Sequence, residues 1–128
     1  MKYTRFEELP VWKKARETNN LIFQLTLTEP FDSDYRFKAQ IRASAGSIMD
    51  NIAEGFERGG NKELIQFLSI AKGSCGELRS QAYRAFDYRY FDEATLNNLL
   101  EQTTELSGEL QNFIKYLQTS DFKGFKYK

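Results

Sequence analysis

The sequence contains no histidine, a single cysteine and two prolines. Without histidine, the commonest general base and the commonest transition-metal ligand are both missing. One cysteine, Cys75, excludes an internal disulfide and any site that needs several thiolates. The 18 basic residues balance the 18 acidic ones, so the chain has no excess charge with which to coat a nucleic acid. These features predict no metal or other cofactor, and they fit a protein of the reducing cytoplasm.

Long hydrophobic runs are missing as well. No stretch approaches the roughly 20 apolar residues that a membrane-spanning helix needs, and residues 1–8 lack the apolar core of a signal peptide. We therefore expect no membrane association. A chain of 128 residues with 41% hydrophobic side chains is long enough for one domain with a buried core.

Apolar residues at steps of three and four predict helices, whereas strand signals are weak. We place four helices at about residues 9–27, 35–58, 62–89 and 93–118. Their short connections predict antiparallel neighbours. Residues 1–120 should therefore form a single all-α domain, an up-and-down antiparallel four-helix bundle. The remaining residues, 121–128, alternate aromatic and lysine side chains and should form a flexible tail outside the bundle.

Small residues are concentrated in the middle of the second and third helices. Residues 43–47 read Ala-Ser-Ala-Gly-Ser, and the third helix contains Gly73 and Gly76. Glycine inside a helix costs about 1 kcal/mol relative to alanine, so Gly46, Gly73 and Gly76 need a compensating role. We expect them to allow close approach of the second and third helices, with a ligand site or a neutral position as the alternatives.

Polar side chains follow the apolar stripe of the second helix, mostly at the same steps of three and four, and the third helix offers counterparts. We call this set the polar ridge: Gln40, Arg42, Ser44, Ser47, Asn51, Glu54, Ser74 and Glu77. Arg42 and Glu77 could pair across the two helices. Three interpretations remain open, namely a solvated face, a subunit interface or channel lining, and a catalytic or ligand-binding site.

The sequence contains no convincing catalytic constellation. Asp50, Glu54 and Glu57 share one helix, but a di-iron bundle in its usual form also requires histidine. Cys75 lies on the apolar stripe of the third helix, which favours a buried structural thiol. We therefore predict that the protein is not an enzyme.

Basic residues are dispersed, with small clusters that are candidates for contact with nucleic acid. These candidates are Lys13, Lys14, Arg16, Arg58, Lys62, Lys123, Lys126 and Lys128. In a ring of subunits such weak patches would act together by multivalency, and the tail aromatics could stack on single-stranded RNA. The alternative is that the lysines only confer solubility and that the tail packs on a neighbouring subunit.

Aromatic residues make up 15% of the chain, and several lie away from the apolar stripes. More aromatic side chains than a slim bundle needs are typical of a subunit interface. We therefore expect the protein to bind copies of itself as a homo-oligomer.

Three segments resemble a known family. Residues 40–48 read QIRASAGSI, residues 51–56 read NIAEGF, and residues 67–78 read FLSIAKGSCGEL. Near the start of the chain, the opening pattern of the same family is matched by Phe6, Leu9, Val11, Trp12 and Ala15. In these motifs and their order, the chain resembles the bacterial four-helix bundle proteins associated with intervening sequences of 23S ribosomal RNA genes. Gly46 and Gly76 depart from the pattern, since larger small residues are commoner at both positions.

The resemblance implies an antiparallel four-helix bundle that assembles as a ring, usually a homopentamer, and it implies no enzyme. A related branch, which is strongly basic, serves as accessory protein to a reverse transcriptase, a role that the neutral charge of this chain disfavours. The leading hypothesis is a non-enzymatic oligomeric scaffold or adaptor, with RNA or an RNA-handling protein as a candidate partner. The alternatives are a small-ligand binder that uses the polar ridge, the accessory role and, last, an enzyme.

Overall fold

The computed structural model describes residues 3–120, in which all regular structure is helical and no strand occurs. Its helices are α1 (Pro10–Leu25), α2 (Tyr35–Glu57), α3 (Asn61–Asp87) and α4 (Glu93–Thr119). Short 3-10 helices, Phe6–Glu8 and Phe31–Ser33, precede α1 and α2. The prediction of an all-α fold with four helices is confirmed. The predicted tail, residues 121–128, lies outside the described residues.

Local sequence explains several of the helix ends. Pro10 occupies the first position of α1, where its missing N–H would have no helical partner. The side chain of Asp34 caps α2 by accepting a hydrogen bond from the backbone N–H of Phe37 (3.2 Å). The positive φ angles of Gly59 (86°) and Arg89 (63°) follow the ends of α2 and α3, because a right-handed helix does not continue through that conformation.

Side-chain neighbours show that α2 and α3 are antiparallel. Ser47 meets Ser74, and farther along α2, Gly55 lies beside Leu64, which is earlier in α3. Residue numbers therefore rise along one helix as they fall along the other. Residue numbers also run in opposite directions at the α1–α2, α1–α4 and α3–α4 contacts. The fold is therefore an antiparallel four-helix bundle.

The core runs along the bundle axis and is built by the predicted apolar stripes. Its largest fully buried helical side chains come from all four helices: Ile22, Ile41, Ile48, Ile52, Phe56, Leu64, Leu68, Leu78, Leu99 and Leu106. Among neighbouring helices, packing is most extensive between α2 and α3 and least extensive between α1 and α4. None of the helices within residues 3–120 combines the length and the apolar character needed to cross a membrane.

Aromatic residues close one end of the bundle. The buried ring of Phe31 packs against Phe37 and Tyr90, with ring centroids 5.4 and 4.7 Å away. The Tyr90 hydroxyl donates to the carboxylate of Asp34 (2.6 Å), and this bond, with the Phe37 N–H, lowers the pKa of Asp34. Part of the aromatic content that the sequence suggested for a subunit interface is therefore used within the chain.

Candidate functional site

Three residues of the polar ridge form a hydrogen-bonded cluster between α2 and α3. The hydroxyl oxygens of Ser47 and Ser74 lie 3.0 Å apart. The Asn51 side-chain amide donates to both the hydroxyl (2.9 Å) and the backbone carbonyl (2.7 Å) of Ser47. All three side chains are half-buried, so these bonds replace hydration that the polar groups lose on folding. The cluster joins α2 to α3.

Two more polar residues are buried at this contact. Ser44 is buried, and its hydroxyl donates to the backbone carbonyl of Gln40, one turn earlier (3.3 Å). Gln81 on α3 is only 4% exposed, and its side-chain oxygen has no hydrogen-bond partner among the described residues. A buried polar group without a partner costs about 1–3 kcal/mol, so Gln81 weakens the contact that Ser47 and Asn51 strengthen.

Arg42 does not belong to the polar ridge, contrary to the sequence prediction. Its guanidinium donates to the hydroxyl of Thr26 (2.8 Å) and lies 4.4 Å from the ring centre of Phe23. Both contacts are with the end of α1 and the residue after it, so Arg42 does not pair with Glu77. The reason is helical geometry, because a residue two positions from Gln40 projects from nearly the opposite side of α2.

The remaining residues of the ridge, Gln40, Glu54 and Glu77, are exposed. Glu54 accepts a hydrogen bond from Arg58 one turn later (2.8 Å), which is an ordinary surface ion pair. No group of three acidic or cysteine side chains within residues 3–120 is placed to hold a metal ion. The ridge therefore consists of a half-buried cluster and separate solvated residues.

The predicted role of the small residues is wrong at three glycines. A Cβ added to Gly73 or Gly76 would meet nothing within 4 Å, and one added to Gly46 would meet only Asn19 of α1, at 3.8 Å. None of them allows α2 and α3 to approach, because Gly73 and Gly76 point away from α2 and Gly46 points toward α1.

Close approach of α2 and α3 occurs instead at Gly55, which the sequence analysis missed. A Cβ there would lie 2.6 Å from the Cβ of Phe67 and 3.2 Å from the Leu64 side chain. Gly55 follows Ile52 by three residues on the buried side of α2, and this core-face position is the signal that could have identified it.

Several of the basic candidates already have partners. Lys14 forms ion pairs with both Glu105 and Glu109 across the α1–α4 contact, and these bonds raise the pKa of Lys14. Arg58, besides pairing with Glu54, lies over the ring of Phe67. Because the Lys14 ammonium and the Arg58 guanidinium are engaged in these contacts, they are less free to contact phosphate.

Among the other basic candidates, Lys13 and Arg16 line one open depression beside Trp12, together with Glu7 and Glu17. Lys13 and Lys62 are exposed, and Arg16 lies 5.6 Å from the ring centre of Trp12. The candidate lysines of the tail, which are Lys123, Lys126 and Lys128, lie outside the described residues.

Cys75 is buried at the contact of α3 with α4, as predicted. Its thiol donates to the backbone carbonyl of Thr103 (3.2 Å), and burial raises the pKa of this thiol to about 11. The thiolate that a nucleophile requires is therefore disfavoured at neutral pH.

The fold and its surface define a small antiparallel helical bundle whose half-buried polar residues largely satisfy one another. The family model described as 23S rRNA-intervening sequence protein matches residues 7–112. The chain belongs to this family, as its motifs indicated.

Among solved structures, the chain is similar to a protein of unknown function from the S23 ribosomal protein family of Bacteroides thetaiotaomicron VPI-5482. The two share 21% sequence identity with a TM-score of 0.73, and the match covers 82% of this chain and 95% of the other. At this identity the likeness supports the fold alone. No curated protein matches the chain.

Proposed function

We propose that this protein is a cytoplasmic, non-enzymatic scaffold that assembles with copies of itself through the outer face of α3. This outer α3 face comprises Ile70, Gly73, Gly76 and Glu77. The number of subunits proposed, five, rests on the resemblance to the family. The proposal rests mainly on the two glycines, whose Cβ positions are open to solvent within the described structure.

Gly73 and Gly76 lower the stability of the isolated chain, and no contact within residues 3–120 offsets this loss. Each costs about 1 kcal/mol relative to alanine in the interior of a helix, and neither makes room for another part of the chain within residues 3–120. A second backbone approaching this face would account for both. Ile70, 45% exposed on the same helix, would then be covered by the neighbouring copy.

The polar cluster offers less support for a ligand site or for catalysis. Ser47, Asn51 and Ser74 bond to each other, so their strongest hydrogen-bonding groups are already occupied. Neither serine is bonded to a group that could act as a general base. A structural role for the cluster agrees with the scaffold proposal.

Size-exclusion chromatography with light scattering tests the assembly. The variant Gly73→Ala/Gly76→Ala should assemble at least about tenfold more weakly, because two methyl groups would hold the neighbouring backbones apart. Its protomer should nevertheless unfold at higher urea concentration, since alanine favours the helix by up to about 1 kcal/mol per site.

Gly108→Ala is the matched control. Gly108 lies on α4, and a Cβ there would also meet nothing within 4 Å. The Gly108→Ala substitution should raise the stability of the protomer in the same way and leave the assembly unchanged. A wild-type protein that is monomeric at all concentrations would refute the proposal, as would undiminished assembly of the double variant.

Contact with RNA is a second candidate, favoured by one surface at the start of α1. There Lys13 and Arg16 line an open depression beside the half-buried ring of Trp12, together with Glu7 and Glu17, and aromatic rings beside cations suit stacking on unpaired bases. A Lys13→Ala/Arg16→Ala variant should bind single-stranded RNA less tightly than wild type at low salt. Absence of wild-type binding at low salt would exclude this candidate.

A further inference from the structure

The contact between α1 and α4 opens into an apolar groove. The groove has a volume of about 500 Å³. Its apolar walls are formed by Tyr3, Leu9, Pro10, Val11, Phe113 and Tyr116. Tyr116 is 43% exposed, while Leu9 and Val11 are buried at its base. Within the described residues, the aromatic wall that Phe113 and Tyr116 form is only partly covered.

Unequal helix lengths leave this groove open. α1 begins at Pro10, whereas α4 continues to Thr119 and extends past the start of α1. Among the described residues before α1, Tyr3 and Leu9 line the groove, whereas the 3-10 helix Phe6–Glu8 packs mainly on α1 and α2. Phe6 is directed to Trp12, with ring centroids 5.2 Å apart. Within residues 3–120, the last two turns of α4 therefore have no neighbouring helix on this side.

We propose that residues 121–128 of the same chain fold back and occupy this groove. The segment starts directly after Ser120, beside the open end of the groove. Asn112, which lines the groove, lies about 12 Å from Ser120 along α4 at about 1.5 Å per residue. Lys126 can extend about 20 Å from Ser120 at about 3.4 Å per residue. The segment is therefore long enough to run the length of the groove.

The chemistry of the segment matches that of the groove. Residues 121–128 read DFKGFKYK and so supply three aromatic rings for the apolar walls. The segment carries three lysines and one aspartate, and its net positive charge suits the carboxylates of Glu105 and Glu109, which share the single ammonium of Lys14. Glu109 itself lines the groove. Burial of the rings and charge complementarity thus favour the same docked arrangement.

Docking of residues 121–128 in the groove is not implied by the family assignment, and it does not depend on self-assembly. The family model ends at residue 112, before the last turns of α4 and the segment that follows them. The groove lies on the α1 side of α4, whereas Gly73 and Gly76 of the outer α3 face line a separate depression on the α3 side of that helix. Failure of either proposal would leave the other standing.

Disulfide trapping in the full chain tests the docking. The variant Asn112→Cys/Lys126→Cys keeps every aromatic residue of the segment and places one thiol in the groove and one in the segment. Buried Cys75 does not compete, since its thiol is 1% exposed and has a raised pKa. With oxidised glutathione, we expect a disulfide within one chain, detected by intact mass and by mobility on a non-reducing gel.

Two controls separate docking from chance encounter. In Asn98→Cys/Lys126→Cys, the helix cysteine lies on the same side of α4 but about 33 Å from Ser120, beyond the reach of Lys126 in the same chain. It should form no intrachain disulfide. Adding Phe122→Ser and Phe125→Ser to the groove variant should slow its disulfide formation about tenfold, because the rings that hold the segment are gone.

Each outcome of the disulfide-trapping experiment either supports or overturns the docking of residues 121–128. An intrachain disulfide that slows when the rings are removed supports the proposal. An equal rate with and without the rings would mean that the segment only passes the groove, and the proposal would be wrong. Covalent dimers would assign the groove to a second copy, and absence of any disulfide would leave it to another occupant, so either result would also overturn the proposal.

Discussion

The α2–α3 and α1–α4 contacts of this bundle are held by different means. α2 and α3 approach closely at Gly55 and share the half-buried cluster of Ser47, Asn51 and Ser74. α1 and α4 have less packing between them and are joined by ion pairs of Lys14, before they diverge into the apolar groove. The α2–α3 contact depends on shape and on a half-buried cluster of hydrogen bonds, whereas the α1–α4 contact combines surface ion pairs with the single hydrogen bond from Thr18 to Gln102.

The difference shows where the bundle can tolerate change. Close packing of two helices leaves no room for additional atoms, so errors there are costly. Exposed ion pairs contribute little and are screened by salt. We therefore expect substitutions in the α2–α3 contact to affect folding and substitutions in the α1–α4 contact to be milder.

The largest effect is expected for Gly55→Val. The new side chain would overlap Phe67 and Leu64, whose nearest atoms lie 2.6 and 3.2 Å from the Cβ position. Forcing the helices apart should cost about 3 kcal/mol of unfolding free energy, measured by urea denaturation with circular dichroism. Gly108→Ala, at an open position, should instead stabilise the chain. A Gly55→Val variant as stable as wild type would show that α2 and α3 are not in close contact there.

A smaller loss is expected for Asn51→Ala. It removes two hydrogen bonds to Ser47 within the half-buried cluster and should cost about 1–2 kcal/mol. Thr18→Val is the matched change in the α1–α4 contact, because it removes one buried hydroxyl that donates to Gln102 (3.0 Å). Urea denaturation of both variants measures how much unfolding free energy each substitution removes. If Thr18→Val proved the more damaging change, the contrast between the two contacts would be reversed.

The smallest effect is expected for Lys14→Met. The Lys14 side chain is 37% exposed, and a surface ion pair contributes less than about 1 kcal/mol. The difference in unfolding free energy between Lys14→Met and wild type should vanish in high salt. Because the folded-state pKa of Lys14 is raised, its contribution is complete below the unfolded-state pKa and is lost as pH rises through the folded value. Lys13→Met, at an exposed position without such pairs, should show neither dependence in the same denaturation series.

The sequence predicted the helices well because their signals are local. Apolar steps of three and four, Pro10 and Gly59 identify the elements without knowledge of their neighbours. Arg42 shows the limit of this reasoning, since its inclusion in the polar ridge ignored the angle that separates it from Gln40. The glycines show a second limit, because the cost of Gly73 is visible in the sequence and the direction in which it faces is not.

Composition and periodicity by themselves determined that this chain forms four helices, that Cys75 is buried and that histidine chemistry is impossible. Only the tertiary structure decided which polar residues bond to each other, which glycine allows α2 and α3 to approach closely and where a groove remains open. The physical reason is that helix formation depends on residues a few positions apart, whereas a contact depends on the rotation of two helices about their axes. Rotation is set by the packing of the whole core, and no single segment encodes it.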